Sequence, residues 1–349
     1  MPIADPRHRT TVNLALQGGG AHGAFTWGVL DALLEDGQLA VEGVSGTSAG
    51  AMNAICLAQG LMAGGRDGAR EALAKFWTAV AESSPFPDSA NADGEPPAIP
   101  AALKLMLQWT EYLSPEQLNP FDLNPLRDIL GAQIDFERLR KYSPVKLFIA
   151  ATNANSGKLR IFHNRELSVD ALLASACLPT IHRTVTIDGE PYWDGGYSAN
   201  PAVFPLFYDC TAADILLVLL TPLHFGETPD SAQDIRMRLR ELGFSATFLR
   251  EMRMFAHLRE RVGESRLPAW LQAWIPVGQL EQRVRQVRFH AISADALMSE
   301  LAPETKLAAS LSFFQRLRDD GRAHAKTWLA AKRSAIGHRS TLDLAKIYY

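Results

Sequence analysis

The sequence has few cysteines, little net charge and no long hydrophobic run. Its three cysteines, Cys56, Cys177 and Cys210, are widely spaced in a 349-residue chain, which argues against a disulfide framework or a C-x-x-C metal pair. We therefore expect a reducing compartment. A net charge of −3 argues against a nucleic-acid-binding protein, whose domain is usually strongly basic. The densest apolar run, residues 215–220, is too short to span a bilayer.

These absences predict a cytoplasmic protein that is soluble or peripheral to a membrane. Residues 1–10 are polar, so we expect no signal peptide. The length suits one large domain with an extension, or two domains. Residues 82–100 are rich in Pro, Ser, Asn and Asp and predict a surface loop, and residues 101–113 predict an apolar helix.

The first fifty residues alternate between strand and helix patterns. Residues 12–16 alternate as a strand and end at the glycine-rich loop Gly18-Gly19-Gly20-Ala21-His22-Gly23. Residues 24–34 have a helical period. A second strand, residues 39–44, leads into Gly46-Thr47-Ser48-Ala49-Gly50 and a further apolar helix. This order predicts a parallel sheet covered by helices.

The segment from Gly46 to Gly50 has the G-x-S-x-G pattern of a nucleophile turn. Such a turn holds the Ser48 hydroxyl at the amino end of the next helix, where the dipole and free amides favour developing negative charge. Gly46 and Gly50 allow the strained turn and leave room for a substrate. The alternative is a glycine-rich turn whose serine only caps the helix.

The Gly18–Gly23 loop has three interpretations. A P-loop fails because Ala24 and Phe25 stand where Lys and Ser or Thr belong. A dinucleotide fingerprint fits the glycines, with Glu42 at about the expected distance, so a nucleotide-binding module stays an alternative. We favour an oxyanion hole, because successive glycine amides can converge on one alkoxide. The predicted oxyanion-hole residues are Gly18, Gly19, Gly20 and Gly23.

The third chemically informative segment is Asp194-Gly195-Gly196, which follows a predicted hairpin at residues 184–193. In this order, the glycine loop, the Ser48 turn and this segment resemble the patatin-like phospholipase family of bacterial type. The segments Ala174–Pro179 and Asn200-Pro201 resemble it as well. The resemblance extends over roughly residues 13–208.

This resemblance implies an α/β fold and a Ser–Asp dyad that hydrolyses lipid acyl esters. Ser48 would be the nucleophile and Asp194 its base, with Gly195 and Gly196 in support. The expected fold is a mainly parallel sheet covered by helices on both faces, with a mostly helical C-terminal extension. Residues 13–208 would be the catalytic domain, and residues 209–349 a last core strand followed by that extension.

The resemblance also implies a lipid or phospholipid substrate, possible transient contact with a membrane surface, and no cofactor, metal or nucleic acid. One position departs from the family, because His22 stands where its loops usually have Arg or Lys. A neutral histidine supplies no positive charge there, but it can donate a hydrogen bond.

Other functions stay open. An α/β-hydrolase with a Ser–Asp–His triad would need a histidine late in the chain, and the candidates are His224, His257, His290, His324 and His338. A membrane-surface scaffold with a vestigial site is another alternative. Trp270 and Trp274, with the arginines of residues 232–262, suggest interfacial docking, or else ordinary core packing and a solvated helix face.

Overall fold

The computed structural model describes residues 9–84, 109, 112–263 and 278–349, and the statements below concern those residues. The predicted loop at 82–100 and the predicted helix at 101–113 lie mostly outside them. The tryptophan segment with Trp270 and Trp274 lies wholly outside them.

The described chain alternates strands and helices. The strands are β1 (Thr10–Leu16), β2 (Leu39–Thr47), β3 (Lys146–Asn153), β4 (Leu159–His163), β5 (Val185–Ile187), β6 (Glu190–Asp194), β7 (Asp214–Leu219) and β8 (Arg288–Ser293). The helices are α1 (Gly23–Asp36), α2 (Ala49–Glu82), α3 (Pro115–Leu118), α4 (Pro125–Gln133), α5 (Phe136–Tyr142), α6 (Val169–Ser175), α7 (Phe204–Asp209), α8 (Ala232–Gly263), α9 (Gln279–Gln286), α10 (Asp295–Glu300), α11 (Leu311–Lys332) and α12 (Leu344–Tyr348).

These strands form one mixed, mostly parallel sheet. The path of pairings is β5-β6-β3-β2-β1-β7-β8, and β4 also pairs with β3. The pairs that join β3, β2, β1, β7 and β8 are parallel, whereas β4, β5 and β6 pair antiparallel. The predicted parallel sheet is confirmed. The boundary at residue 208 stays a prediction, and both β7 and β8 follow it within the same sheet.

Helices cover both faces of the sheet, as predicted. Along β7, Leu216 and Val218 pack with α1, α2 and α11 on one face. Ile215, Leu217 and Leu219 pack with α7, α8, α9 and α12 on the other. Because successive side chains of a strand point to opposite faces, the apolar run 215–219 of β7 must be covered on both faces.

The C-terminal part is mostly helical, as expected, and it packs against the first helix. A Cβ on Gly28 would overlap the Arg318 carbonyl, and one on Gly321 would overlap the Phe25 carbonyl. Glycines on both helices thus let α1 and α11 approach through their backbones. Before α11 the chain forms a 3-10 turn, Pro303–Leu307. None of the described helices is both long and apolar enough to cross a membrane.

Candidate active site

Strand β3 brings the two predicted catalytic residues together. The pairing of β2 with β3 ends where Thr47 lies opposite Ala150. Strand β6 pairs with the next stretch of β3, where Asp194 lies opposite Ala151. Strand β4 pairs with the other edge of β3, at residues 148–152. β2 and β6 therefore share the remaining edge of β3, one after the other along the strand. Ser48, which follows β2, therefore meets the end of β6.

Ser48 lies on a strained turn between β2 and α2. Its φ of 53° and ψ of −122° fall outside the regions that non-glycine residues favour. A Cβ on Gly46 would lie 2.6 Å from the Gly50 carbonyl oxygen, so the turn needs glycine there. The Ser48 side chain makes no capping hydrogen bond to α2. The geometry is that of a nucleophile turn and not of a simple serine cap.

Asp194 is buried beside this serine, with 1% of its surface exposed. The Ser48 hydroxyl lies close enough to its carboxylate to lower the pKa, and the Gly196 amide donates a hydrogen bond to it at 2.7 Å. Burial raises the pKa of Asp194 to about 7, although these two contacts act in the opposite direction. A carboxyl group with this pKa can accept a serine proton near neutral pH.

The backbone of Asp194 is held from two sides. Its amide donates to the Cys177 carbonyl at 2.7 Å, and its carbonyl accepts from the Thr152 hydroxyl at 2.8 Å. A Cβ on Gly195 would overlap the Ala150 carbonyl, so glycine lets this segment lie directly on β3. These contacts fix the direction of the carboxylate towards the serine.

The glycine-rich loop lies against Ser48, where a Cβ on Gly18 would lie 2.8 Å from the Ser48 Cβ. The Gly18 amide donates to Asn200 Oδ1 at 2.7 Å, and the Gly23 amide donates to the Gly20 carbonyl. These two amides are used inside the protein, which corrects the predicted set of four donors. The amides of Gly19 and Gly20, at the start of a 3-10 turn, have no acceptor within the described chain.

The comparisons with known proteins agree with this geometry. The model of the patatin-like phospholipase family matches residues 14–207, which is more than half of the chain. The chain belongs to the patatin-like phospholipase family. That range contains the glycine loop, Ser48 and Asp194. Membership supports a lipid hydrolase of the esterase or lipase class in general.

Two solved structures are similar to the chain. The crystal structure of VipD from Legionella pneumophila has 16% identity and a TM-score of 0.35, over 91% of this chain and 67% of that one. ExoU in the ExoU–SpcU complex from the type III secretion system of Pseudomonas aeruginosa has 17% identity and a TM-score of 0.27, over 94% and 60%. At these scores the family assignment rests on the family model. No curated protein matches the sequence.

His22, the departure from the family pattern, joins the glycine loop to the C-terminal part. It is 2% exposed, and its Nε2 lies 2.8 Å from Thr305 Oγ1. Because the Thr305 hydroxyl donates to the Ala302 carbonyl, it accepts the hydrogen bond from His22 Nε2. Burial and the nearby Lys306 charge lower the pKa of His22 to about 3, so the ring is neutral. A neutral hydrogen bond thus replaces the positive charge usual in the family.

Several supporting residues had no role assigned from the sequence. Ser175 Oγ accepts the Ser48 amide at 3.0 Å. Gln17 Nε2 donates to the Asn200 carbonyl, and its Oε1 accepts the Leu220 amide at 2.6 Å, which ties the ends of β1 and β7 to the site. Ser175 and Asn200 lie in segments that had pointed to the family. Thr152 and Gln17 show no signal beyond their places at strand ends.

The alternative with a Ser–Asp–His triad has no support in the described chain. The partners of the Asp194 carboxylate are Ser48 and Gly196, with no imidazole between them. His290 instead lies 2.9 Å from Asp214, at the opposite end of the parallel strands. Of the other candidates, His257 contacts a tyrosine hydroxyl and His324 contacts a carbonyl of its own helix.

The acidic residue of the nucleotide-binding alternative has a structural role. The Glu42 carboxylate accepts the amides of Thr211 and Ala212, at 2.9 and 2.7 Å, and pairs with Lys146 at 3.0 Å. These contacts tie the start of β3 to the segment before β7. A cleft of about 290 Å³ beside Glu42 and Lys146 lies at this end of the sheet, away from the dyad.

Proposed function

We propose that this protein hydrolyses carboxylic esters of lipids, with phospholipase A or lysophospholipase activity, through a serine acyl-enzyme. The observation that supports this most directly is the proximity of the Ser48 hydroxyl to the buried Asp194 carboxylate, whose pKa it lowers. The serine also lies at the amino end of α2, where developing negative charge is favoured.

In the first half-reaction, Asp194 takes the proton of the Ser48 hydroxyl while its oxygen attacks the ester carbonyl carbon. The carbonyl oxygen becomes an oxyanion, which the amides of Gly19 and Gly20 stabilise. Loss of one such donor typically costs about a hundredfold or more in rate. The proton then passes from Asp194 to the leaving alcohol oxygen as the ester bond breaks.

In the second half-reaction, Asp194 accepts a proton from a water molecule that attacks the acyl-enzyme. The proton then passes from Asp194 to the Ser48 oxygen as the acyl–enzyme bond breaks, so the fatty acid leaves and the Ser48 hydroxyl is regenerated. The dyad transfers each proton and the amides stabilise the oxyanion, so the mechanism uses no metal and no cofactor. Lipids with long acyl chains reside in bilayers, so transient contact of a cytoplasmic enzyme with a membrane surface is part of the proposal.

Product analysis tests this function. Wild-type protein incubated with a mixed lipid extract should release fatty acids detectable by mass spectrometry, and Ser48→Ala should release none. Ser45→Ala is the matched control, because Ser45 is a fully buried serine of the preceding strand, β2, whose hydroxyl has no hydrogen-bond partner within the described structure.

A serine-reactive fluorophosphonate gives an independent measure. The wild type and Ser45→Ala should each gain the mass of one adduct, and Ser48→Ala should gain none. Full hydrolysis or full labelling by Ser48→Ala would contradict the proposed nucleophile. A protein with the intact dyad but no hydrolysis of any ester would favour a vestigial site.

A further inference from the structure

The first half of α8 extends beside the active site with an apolar face directed to solvent. Ile235, Leu239 and Leu242 are 42%, 63% and 46% exposed, respectively. Their spacing of four and three residues puts them on one side of the helix, and we call them the α8 stripe. Three large aliphatic side chains aligned on a solvent-facing helix surface indicate an interaction site.

The stripe cannot turn inward without undocking the helix. The second half of α8 buries Phe248 and Met252 in the core, on the side of the helix away from the stripe. The buried Glu251 carboxylate accepts the amides of Val203 and Phe204 at the start of α7. These contacts fix the rotation of α8 about its axis, so the stripe is held facing solvent.

Helix α8 lies directly against the segment that contains Asp194. Phe244 packs so closely on Gly196 that a Cβ there would overlap its ring. The Phe244 ring also contacts Tyr197, with ring centroids 4.7 Å apart and with Tyr197 40% exposed. Phe244 lies on the side of α8 opposite the stripe, so the stripe forms the outer face of a helix whose inner face contacts the proposed active site.

Charge indicates what covers this surface. α8 has seven arginines and four acidic residues, a net charge of +3 in a chain whose net charge is −3. Arg236, Arg240 and Arg250 are exposed, whereas Glu251 is buried against amides. A basic helix with one exposed aliphatic face binds in the headgroup region of membranes, and arginine is attracted to anionic lipids.

We propose that the α8 stripe inserts into the surface of an anionic phospholipid bilayer and keeps the enzyme at the membrane that contains its substrate. This inference deepens the proposed function and rests on it, because the lipid substrate is what gives the docking its purpose. Ile235, Leu239 and Leu242 lie among the acyl chains nearest the headgroups, and Arg236 and Arg240 contact lipid phosphates and carboxylates.

Vesicle flotation tests the docking without any hydrolysis. Protein with Ser48→Ala is mixed with vesicles of equal parts phosphatidylserine and phosphatidylcholine. Adding Ile235→Gln and Leu239→Gln should lower the partition coefficient about tenfold, since two aliphatic side chains no longer insert. The matched control is Leu280→Gln, which changes a leucine 51% exposed on α9 and should leave binding unchanged.

The charged residues give a second arm. Arg236→Gln with Arg240→Gln should weaken binding to the phosphatidylserine vesicles several-fold, with no such change for phosphatidylcholine alone. Neither pair of substitutions should affect hydrolysis of a soluble short-chain ester, which is measured in protein that retains Ser48. This last assay separates the two ideas, because a failed dyad abolishes it and a failed docking surface does not.

Other outcomes would overturn the docking proposal. One is that the wild type does not bind to vesicles, as expected if the stripe binds a protein. Another is that Leu280→Gln lowers vesicle binding as much as the Ile235→Gln and Leu239→Gln pair does. Binding by the Gln pair equal to that of the wild type would also overturn it. Loss of soluble-ester hydrolysis by the Gln pair at an unchanged Tm would assign the stripe to the active site instead.

Discussion

Asp194 and Asp214 are equally buried, each 1% exposed, at opposite ends of the same sheet. Asp194 faces the Ser48 hydroxyl and accepts a hydrogen bond from the Gly196 amide, and burial raises its pKa to about 7. Burial acts on Asp214 in the same direction, but there the Arg288 guanidinium, His290 and the Gly337 amide hold the pKa well below its ordinary value. Arg288 reaches both carboxylate oxygens, at 2.9 and 2.7 Å.

The difference shows that burial alone does not decide the role of a carboxylate. Asp214 has a permanent cation and stays ionised, so it joins β7 to β8 and to the tail at Gly337. Asp194 has no cation among its partners, so it can gain and lose a proton near neutral pH. A catalytic base needs an environment without a cation, as at Asp194, and a structural anchor needs a permanent cation, as at Asp214.

Exchanging each carboxylate for an amide should separate the two roles. Asp194→Asn should lower kcat/KM for a soluble ester by about a thousandfold or more, because Asn cannot accept the Ser48 proton. Asp214→Asn, assayed well below its Tm, should retain activity within a few-fold. Comparable activity losses in the two folded variants would remove the distinction.

The pH dependence of activity should follow Asp194. Below pH 7 the carboxyl group is protonated and cannot act as a base, so kcat/KM should rise about tenfold per pH unit and level off above pH 7. From pH 5 to pH 7 the expected rise is about a hundredfold. A profile that is flat over this range would show that Asp194 titrates elsewhere.

Stability should respond strongly at Asp214. Asp214→Asn leaves the Arg288 charge without a counter-charge and replaces the Oδ2 acceptor with an NH2 donor that faces the guanidinium, which should lower the free energy of unfolding by about 3–5 kcal/mol. Urea denaturation followed by circular dichroism measures this. A loss below about 1 kcal/mol, the size typical of exposed ion pairs, would contradict the assigned role.

Stability should respond in the opposite direction at Asp194. Its folded pKa, about 7, lies above its ordinary value of 3.8, so its favourable contribution is present below pH 4 and is lost as pH rises to 7. Asp194→Asn should therefore gain stability relative to the wild type across this window, by up to about 4 kcal/mol. Urea denaturation of both proteins at pH 5 and pH 8 tests this, and an equal difference at both values would contradict it.

The smallest expected effect concerns the glycine loop. Thr305→Val removes the hydrogen bond that positions His22, so kcat should fall about tenfold with little change in KM, because the free amides are less well held for the oxyanion. Thr341→Val is the control, since Thr341 makes a similar contact to His290 near Asp214. Equal effects of the two substitutions on kcat would show a loss of stability rather than of positioning.

Much of the fold could be predicted from local patterns. The glycine loop, the Ser48 turn and the segment 185–194 were placed correctly because glycine spacing and strand alternation are local properties. The C-terminal part was predicted less well. Helix α12 depends on packing against β8 and α8, and the 3-10 turn before α11 contacts the glycine loop through Thr305 and His22; a local pattern contains neither contact.

The site itself was predicted in its residues but not in its arrangement. Four oxyanion donors were expected from the glycine pattern, yet only the fold reveals that Asn200 occupies the Gly18 amide. From the sequence, His22 only lacked the positive charge that is usual at this position, and its hydrogen-bond partner Thr305 lies 283 residues away in sequence. Contacts over such separations leave no local signal.

The sequence by itself determined which groups this protein has for chemistry, namely a serine on a glycine-flanked turn, an aspartate before two glycines, and a run of amides. Only the tertiary structure decided what those groups can do. A residue's pKa and reach depend on the neighbours that the sheet brings to it, and strand β3 placed one aspartate against a hydroxyl while β8 gave the other an arginine.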